Sequence, residues 1–293
     1  MKKGVCFLLA ILLCCSVTAC NKTAEQSGIS VITSNFPLYD FVREIGGEAV
    51  NVTMLLKPGV ESHSFEPTPK DIITIEKADL FLYMGGESEA WVKNLTKVDA
   101  VAMIDLIESE EEHSHHDHGA DEHLWTSPKN AMKIAEMICK ELSRIDPENK
   151  KVYEENLKGY LAELTDLDEY VSKIVKNGER KKIVFGDRFP FLYFTEEYGL
   201  DYIAAFSGCA SQAEPSAAAI AELIDEIKTE EIPVIFYLEL SNQSIAEAIS
   251  EATGAKTALF HSCHNVSQQE FEAGETYLSL MSQNAERLEE ALN

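Results

Sequence analysis

Eight histidines carry most of the chemistry open to this chain of 293 residues: His63, His113, His115, His116, His118, His123, His261 and His264. Neutral imidazole is the commonest side chain to bind zinc and similar ions, and three or four converging from separate loops make a metal site. His63 stands in Lys57-Pro58-Gly59-Val60-Glu61-Ser62-His63-Ser64-Phe65-Glu66-Pro67-Thr68-Pro69, behind an apolar run, and His123 precedes Leu124-Trp125-Thr126-Ser127-Pro128, a helix start. His261 and His264 flank Ser262-Cys263, directly after another apolar run. Glu61, Glu66 and Asp121 lie where carboxylates could orient imidazoles. The other four fall in His113-Ser114-His115-His116-Asp117-His118, introduced by Glu108 to Glu112. Such a run has no apolar content to bury and reads as a solvated loop over 108–120 whose composition suits metal contact.

The elements that must position these residues alternate. Ser30 to Ser34, Val50 to Leu56, Leu80 to Met84 and Val101 to Ile104 read as buried strands, with helical patterns at Pro37 to Ile45, Pro69 to Lys77 and Ser88 to Thr96 between them. The same order returns with strands at Lys182 to Phe185, Tyr202 to Phe206, Val234 to Leu238 and Thr257 to Phe260. Helices are expected near Phe191 to Tyr198, Glu214 to Thr229, Ser244 to Thr253 and Glu275 to Leu292. The pattern predicts an α/β fold of two similar lobes, each a parallel four-stranded sheet flanked by helices. Between them, Tyr153, Leu157, Tyr160, Leu164, Leu167, Val171 and Ile174 recur in steps of three and four, the stripe of one long helix. Asp146 suits its N-cap, Pro147 its first position and Asn177-Gly178 its end, giving a linker of roughly 45 Å at the helical rise. The expected layout is an N-terminal lobe over 29–145, the linking helix over 146–178 and a C-terminal lobe over 179–293. Ligands of open α/β sheets bind beyond the carboxyl ends of the strands, which is where four of the histidines fall.

Twenty-five basic residues against fifty acidic ones give a formal charge of −25. That field repels nucleic acid and favours cations. The leader is distinct. Lys2 and Lys3 precede an apolar run from Val5 to Leu13, too short to span a bilayer, and Val17-Thr18-Ala19-Cys20 follows. This resembles the lipobox of bacterial lipoproteins. It implies a signal peptide over 1–19, lipidation of Cys20, a tether over 20–28, and attachment to the extracytoplasmic face of the cell membrane. Three further cysteines remain in the mature chain. Cys139 fits an apolar helical face, while Cys209 and Cys263 could form a disulfide or meet a metal.

His63-Ser64-Phe65-Glu66-Pro67-Thr68-Pro69 and Asp121-Glu122-His123-Leu124-Trp125-Thr126-Ser127-Pro128 resemble the two N-terminal signatures of the zinc and manganese substrate-binding proteins of ABC importers. The lipobox, the long helix and Ala213-Glu214-Pro215-Ser216 fit the same family. The resemblance implies two lobes on a rigid helix, a transition metal in the cleft, His63 and His123 as ligands, and delivery to an importer permease by a monomeric protein. It also implies that the loop of His113, His115, His116 and His118 gathers zinc near the cleft. The C-terminal lobe departs from the family pattern. Where relatives carry His-Asp-Ala-aromatic-Gly this chain has Gly186-Asp187-Arg188-Phe189-Pro190, and where they place an aspartate it has His261. His261 is therefore expected as the third ligand, with the fourth place open among His264, Asp187, Glu239 and Cys263, or left to water.

Two readings compete with metal capture. A zinc hydrolase would need an open coordination position and a base, for which Glu239 is placed, yet the chain has no His-Glu-x-x-His, Gly-x-Ser-x-Gly or phosphate-cradling glycine loop. An adhesin role, ascribed to some members of this family, is the other. Histidine-rich ligation favours zinc over manganese.

Overall fold

The computed structural model describes residues 28–95, 97–110, 121–206 and 215–293. The leader with Cys20, the histidine run 113–118 and Cys209 lie outside the described residues.

Two four-stranded sheets, each all parallel, form the two lobes. In the first, β1 (Ile29–Thr33), β2 (Val50–Met54), β3 (Leu80–Tyr83) and β4 (Ala100–Ala102) lie in the order β2-β1-β3-β4. In the second, β5 (Lys182–Phe185), β6 (Asp201–Ala204), β7 (Val234–Tyr237) and β8 (Lys256–Leu259) repeat it as β6-β5-β7-β8. The central strands are apolar runs buried on both faces, as parallel sheets require: Leu80, Phe81 and Leu82 in β3 and Ile183, Val184 and Phe185 in β5 are all closed to solvent. Crossover helices cover them: α1 (Phe36–Gly46), α2 (Pro69–Ile75) and α3 (Met103–Glu110) in the first lobe. The second has α6 (Leu192–Tyr198), α7 (Ala217–Thr229), α8 (Ser244–Thr253), α9 (Gln268–Ala273) and α10 (Tyr277–Leu292).

Two helices run between the lobes. α4 (Pro128–Ile145) starts at an N-cap where Ser127 accepts the Asn130 N–H, and α5 (Lys150–Asn177) is the long connection, 28 residues or about 42 Å. Six of the seven stripe residues of α5 are buried and Leu157 packs partly buried against the same core. That core is continuous from the first lobe through α4 and α5 into the second, so the helix is an internal wall shared by both lobes. Phe41 of α1, Tyr160 of α5 and Tyr277 of α10 meet there, with ring centroids 5.8 Å apart for Phe41–Tyr160 and 4.9 Å for Phe41–Tyr277. The Tyr277 N–H also donates to the buried Asp40 carboxylate at 2.7 Å, tying α10 to α1.

Three expectations are corrected. α5 begins at Lys150 and not at Asp146-Pro147, because Asp146 terminates α4 and its carboxylate accepts from Asn149 Nδ2 and the Tyr153 hydroxyl, both at 2.7 Å. The helix expected over 88–96 is a short 3-10 segment, Ala90–Asn94. Residues 103–110 form α3, with Met103, Ile104 and Ile107 buried, so the first residues assigned to the acidic loop are helical.

Candidate metal centre

His63, Glu122, His123 and His264 converge: one ligand atom from each lies within 4.8 Å of the others. His63 comes from the loop after β2, His264 from the turn after β8, and Glu122 with His123 from the stretch that enters a 3-10 turn at Leu124–Thr126. The last three are buried and His63 is nearly so. The imidazoles face one another, with centroids 5.1 Å apart for His63–His264, 5.3 Å for His123–His264 and 5.5 Å for His63–His123.

Each ligand is oriented by a second contact. Asp121 Oδ1 lies 2.7 Å from His123 Nδ1, so that nitrogen carries the proton, and Nε2 is left buried with no hydrogen-bond partner. Ser62 Oγ lies 3.1 Å from His264 Nδ1. Glu122 Oε1 faces His63 Nδ1 at 3.3 Å, and its Oε2 accepts from the Ser88 hydroxyl at 2.8 Å and the Ser88 N–H at 3.3 Å. Gly86 makes room for this carboxylate. It has φ +92°, and a Cβ there would lie 2.5 Å from Glu122 Oε2 and 2.9 Å from its Cβ. Trp125, fully buried behind His264 at 4.9 Å between rings, donates its indole N–H to the Ser262 carbonyl at 2.7 Å.

The electrostatics prepare the groups for a cation. Burial resists ionisation of Glu122, but the facing His63 ring and the hydrogen bonds from Ser88 outweigh it and hold the carboxyl below its ordinary range. Burial, then the fields of His123 and His63, drives His264 well below the ordinary imidazole value. An ionised carboxylate and a neutral imidazole are the forms that bind metal. Four-coordinate zinc, with bonds of about 2.0–2.2 Å to N and O, sets its ligand atoms roughly 3.3 Å apart, so the four groups fit such an ion after a small inward movement.

His261, expected among the ligands, lies outside this group. Its fully buried ring turns inward: Nδ1 accepts the Cys263 N–H at 2.9 Å and Nε2 faces Glu270 Oε1 at 3.6 Å. Burial opposes protonation there, but Glu239 and Glu270 outweigh it and raise the His261 pKa, while the facing His261 ring is the main reason Glu270 falls to about 2. Cys263 holds φ +59°, and this left-handed turn presents His264 to the cleft instead. Cys263 itself is a buried free thiol outside the group. Asp187 accepts from the Leu238 N–H at 3.1 Å and the Arg188 N–H at 2.8 Å, and Glu239 accepts from the N–H and hydroxyl of Ser262, so both serve backbone turns. Glu61 accepts from the Ser64 N–H and pairs with Arg188 at 3.1 Å; Glu66 is exposed. A cavity of about 630 Å³ opens against β6, with Phe189, Tyr202 and Phe206 on its wall and Asp121 at its edge.

The family model for the periplasmic component A of zinc-uptake complexes, ZnuA, matches residues 31–291. The chain belongs to this family. It is a transport component and not an enzyme family. Among its relatives, the high-affinity zinc uptake system protein ZnuA of Bacillus subtilis is 35% identical, covering 99% of this chain and 95% of that protein. The zinc-binding lipoprotein AdcA of Streptococcus pneumoniae is 32% identical over 98% of this chain, which spans 61% of AdcA's length. The crystal structure of the Zn(II)-bound ZnuA-like domain of S. pneumoniae AdcA superposes with a TM-score of 0.78 at 30% identity, covering 90% of this chain and 99% of that one. The laminin-binding protein Lmb of Streptococcus agalactiae, described as having adhesin and metal-transporting activity, gives 0.80 at 30% identity, with 91% and 100% covered.

Proposed function

We propose that this protein captures zinc through His63, Glu122, His123 and His264 and hands it to an ABC importer. The convergence of three imidazoles and one carboxylate in a buried cluster carries the reading, and membership of a zinc-uptake family supports it. The cargo is held between the lobes, since His264 belongs to the second and the other three to the first. Manganese is the weaker candidate for a site with three imidazoles. We place the protein outside the cytoplasm, held to the membrane by a lipid on Cys20 and acting as a monomer.

Metal content measured by mass spectrometry on the intact protein, purified without an affinity tag, tests this. About one zinc per chain is expected to survive purification, and less in His63→Ala, His123→Ala and His264→Ala, which should bind added zinc more weakly. A parent protein that holds no transition metal sinks the proposal.

A further inference from the structure

Three of the four ligands belong to the first lobe, yet the loop carrying His63 is fastened to the second. After Leu56, whose N–H donates to Ser34 at the end of β1, the chain leaves its own sheet and returns to regular structure only at the Thr68 cap of α2. Between these points it is gripped by the segment that follows His264. Asn265 is 2% exposed, and its Nδ2 donates to the carbonyls of Lys57 and Val60, both at 2.8 Å. The Gly59 N–H donates to the Val266 carbonyl at 2.7 Å, and Ser62 meets His264. Asn265 Oδ1 accepts the N–H of Val266 at 2.9 Å, which fixes the amide so that both protons point at the loop.

We propose that Asn265 is a positioning residue for zinc: by holding the Lys57–Val60 turn to the second lobe, it sets His63 against its neighbour in sequence, His264. The inference rests on the zinc reading above and goes beyond it. The two lobes then do not simply close on the ion, since one arm of the first lobe travels with the second. Separation of His63 from Glu122 and His123, rather than from His264, becomes the movement that opens the site.

Asn265→Asp tests this, because the change keeps the side chain's shape and the acceptor for Val266 but replaces the double donor with an oxygen aimed at two carbonyls. The added negative charge near the cluster would by itself strengthen cation binding, so the expected loss has the opposite sign to a charge effect. Zinc affinity, measured by competition with a chromophoric chelator on the intact protein, should fall about tenfold to a hundredfold, with faster zinc dissociation. In a His63→Ala background the same substitution should cost less than about twofold, since Asn265 acts through the His63 loop. A merely structural role predicts equal losses in both backgrounds, and that result overturns the proposal, as does parental affinity in Asn265→Asp. Should Asn265→Asp fail to fold, as judged by circular dichroism, Asn265→Ser goes through the same cycle with the same criteria. A parent that binds no zinc overturns the functional reading, whereas a zinc-binding parent matched by the variant overturns only the role of Asn265.

Discussion

Exchanging the fates of His261 and His264 is the sharpest test of the site. Structural zinc held by four ligands binds with about 10–16 kcal/mol, or about 3 kcal/mol per ligand, so His264→Ala should weaken binding by roughly two orders of magnitude. His261→Asn keeps an acceptor near the position of Nδ1 for the Cys263 N–H. It empties part of a fully buried ring site, at a stability cost of about 2–4 kcal/mol, but should leave zinc affinity within about tenfold of the parent. Thermal unfolding separates the two. At free zinc of about 100 times the parent Kd, the parent gains about 2.7 kcal/mol, while His264→Ala, then near its own Kd, gains about 0.4 kcal/mol. For a chain of this size that is a rise in Tm of about 5–10 °C against about 1 °C. His261→Asn starts from a lower metal-free Tm and should still rise by several degrees with zinc. A His264→Ala protein that keeps the full zinc-induced rise, or a His261→Asn protein that loses it, refutes the assignment of ligands.

Gly86→Ala places a methyl against the Glu122 carboxylate in a left-handed backbone, so zinc affinity should drop about tenfold or more in chelator competition, and an unchanged affinity would show that Glu122 can shift freely. Asp40 lies far from neutral behaviour: burial, outweighing Arg43 and the Tyr277 N–H, pushes it from 3.8 up to about 6. A carboxyl held above its unfolded value stabilises the fold while protonated, fully below about pH 4, and that contribution, at most about 3 kcal/mol, is lost as pH rises through 6. In urea unfolding of the zinc-free protein, the stability advantage of the parent over Asp40→Asn should therefore shrink from pH 4 to 7, and a widening advantage would contradict the assignment. Deleting 111–118 should slow zinc-dependent growth in zinc-poor medium while leaving one zinc per chain; growth at the parental rate would remove the gathering role from the histidine run.

Sequence made the architecture legible because parallel strands buried on both faces announce themselves as unbroken apolar runs, and Lys182–Phe185 and Val234–Tyr237 fall where the runs predict them. The two signatures pointed to His63 and His123, and the structure brings both into one cluster. Glu122 did not stand out, since neighbouring residues in an extended chain point to opposite sides, yet ahead of the turn at Leu124–Thr126 its carboxylate and the imidazole of His123 join one cluster. The choice between His261 and His264 depended on a left-handed conformation at Cys263, a residue with no intrinsic preference for it. Asp146-Pro147 carried every signal of a helix start, yet the Asp146 N–H closes the helix before it, on the Leu142 carbonyl, while its carboxylate accepts from Asn149 and Tyr153 at the start of α5. Helix α3 was hidden by composition: Met103, Ile104 and Ile107 are buried, yet the sequence runs straight on into glutamates.

The fastening of the His63 loop to residues 265 and 266 has a consequence for biogenesis. The proposed ligands span 63 to 264, and the segment that fastens them together follows the last of them in sequence. Contacts of such sequence separation form late, after most of the chain entropy has been lost. A chain still emerging from synthesis or export therefore has no assembled four-residue cluster. Zinc occupancy becomes a report on completed folding, and a molecule truncated after β8 would lack both His264 and the segment that holds the His63 loop.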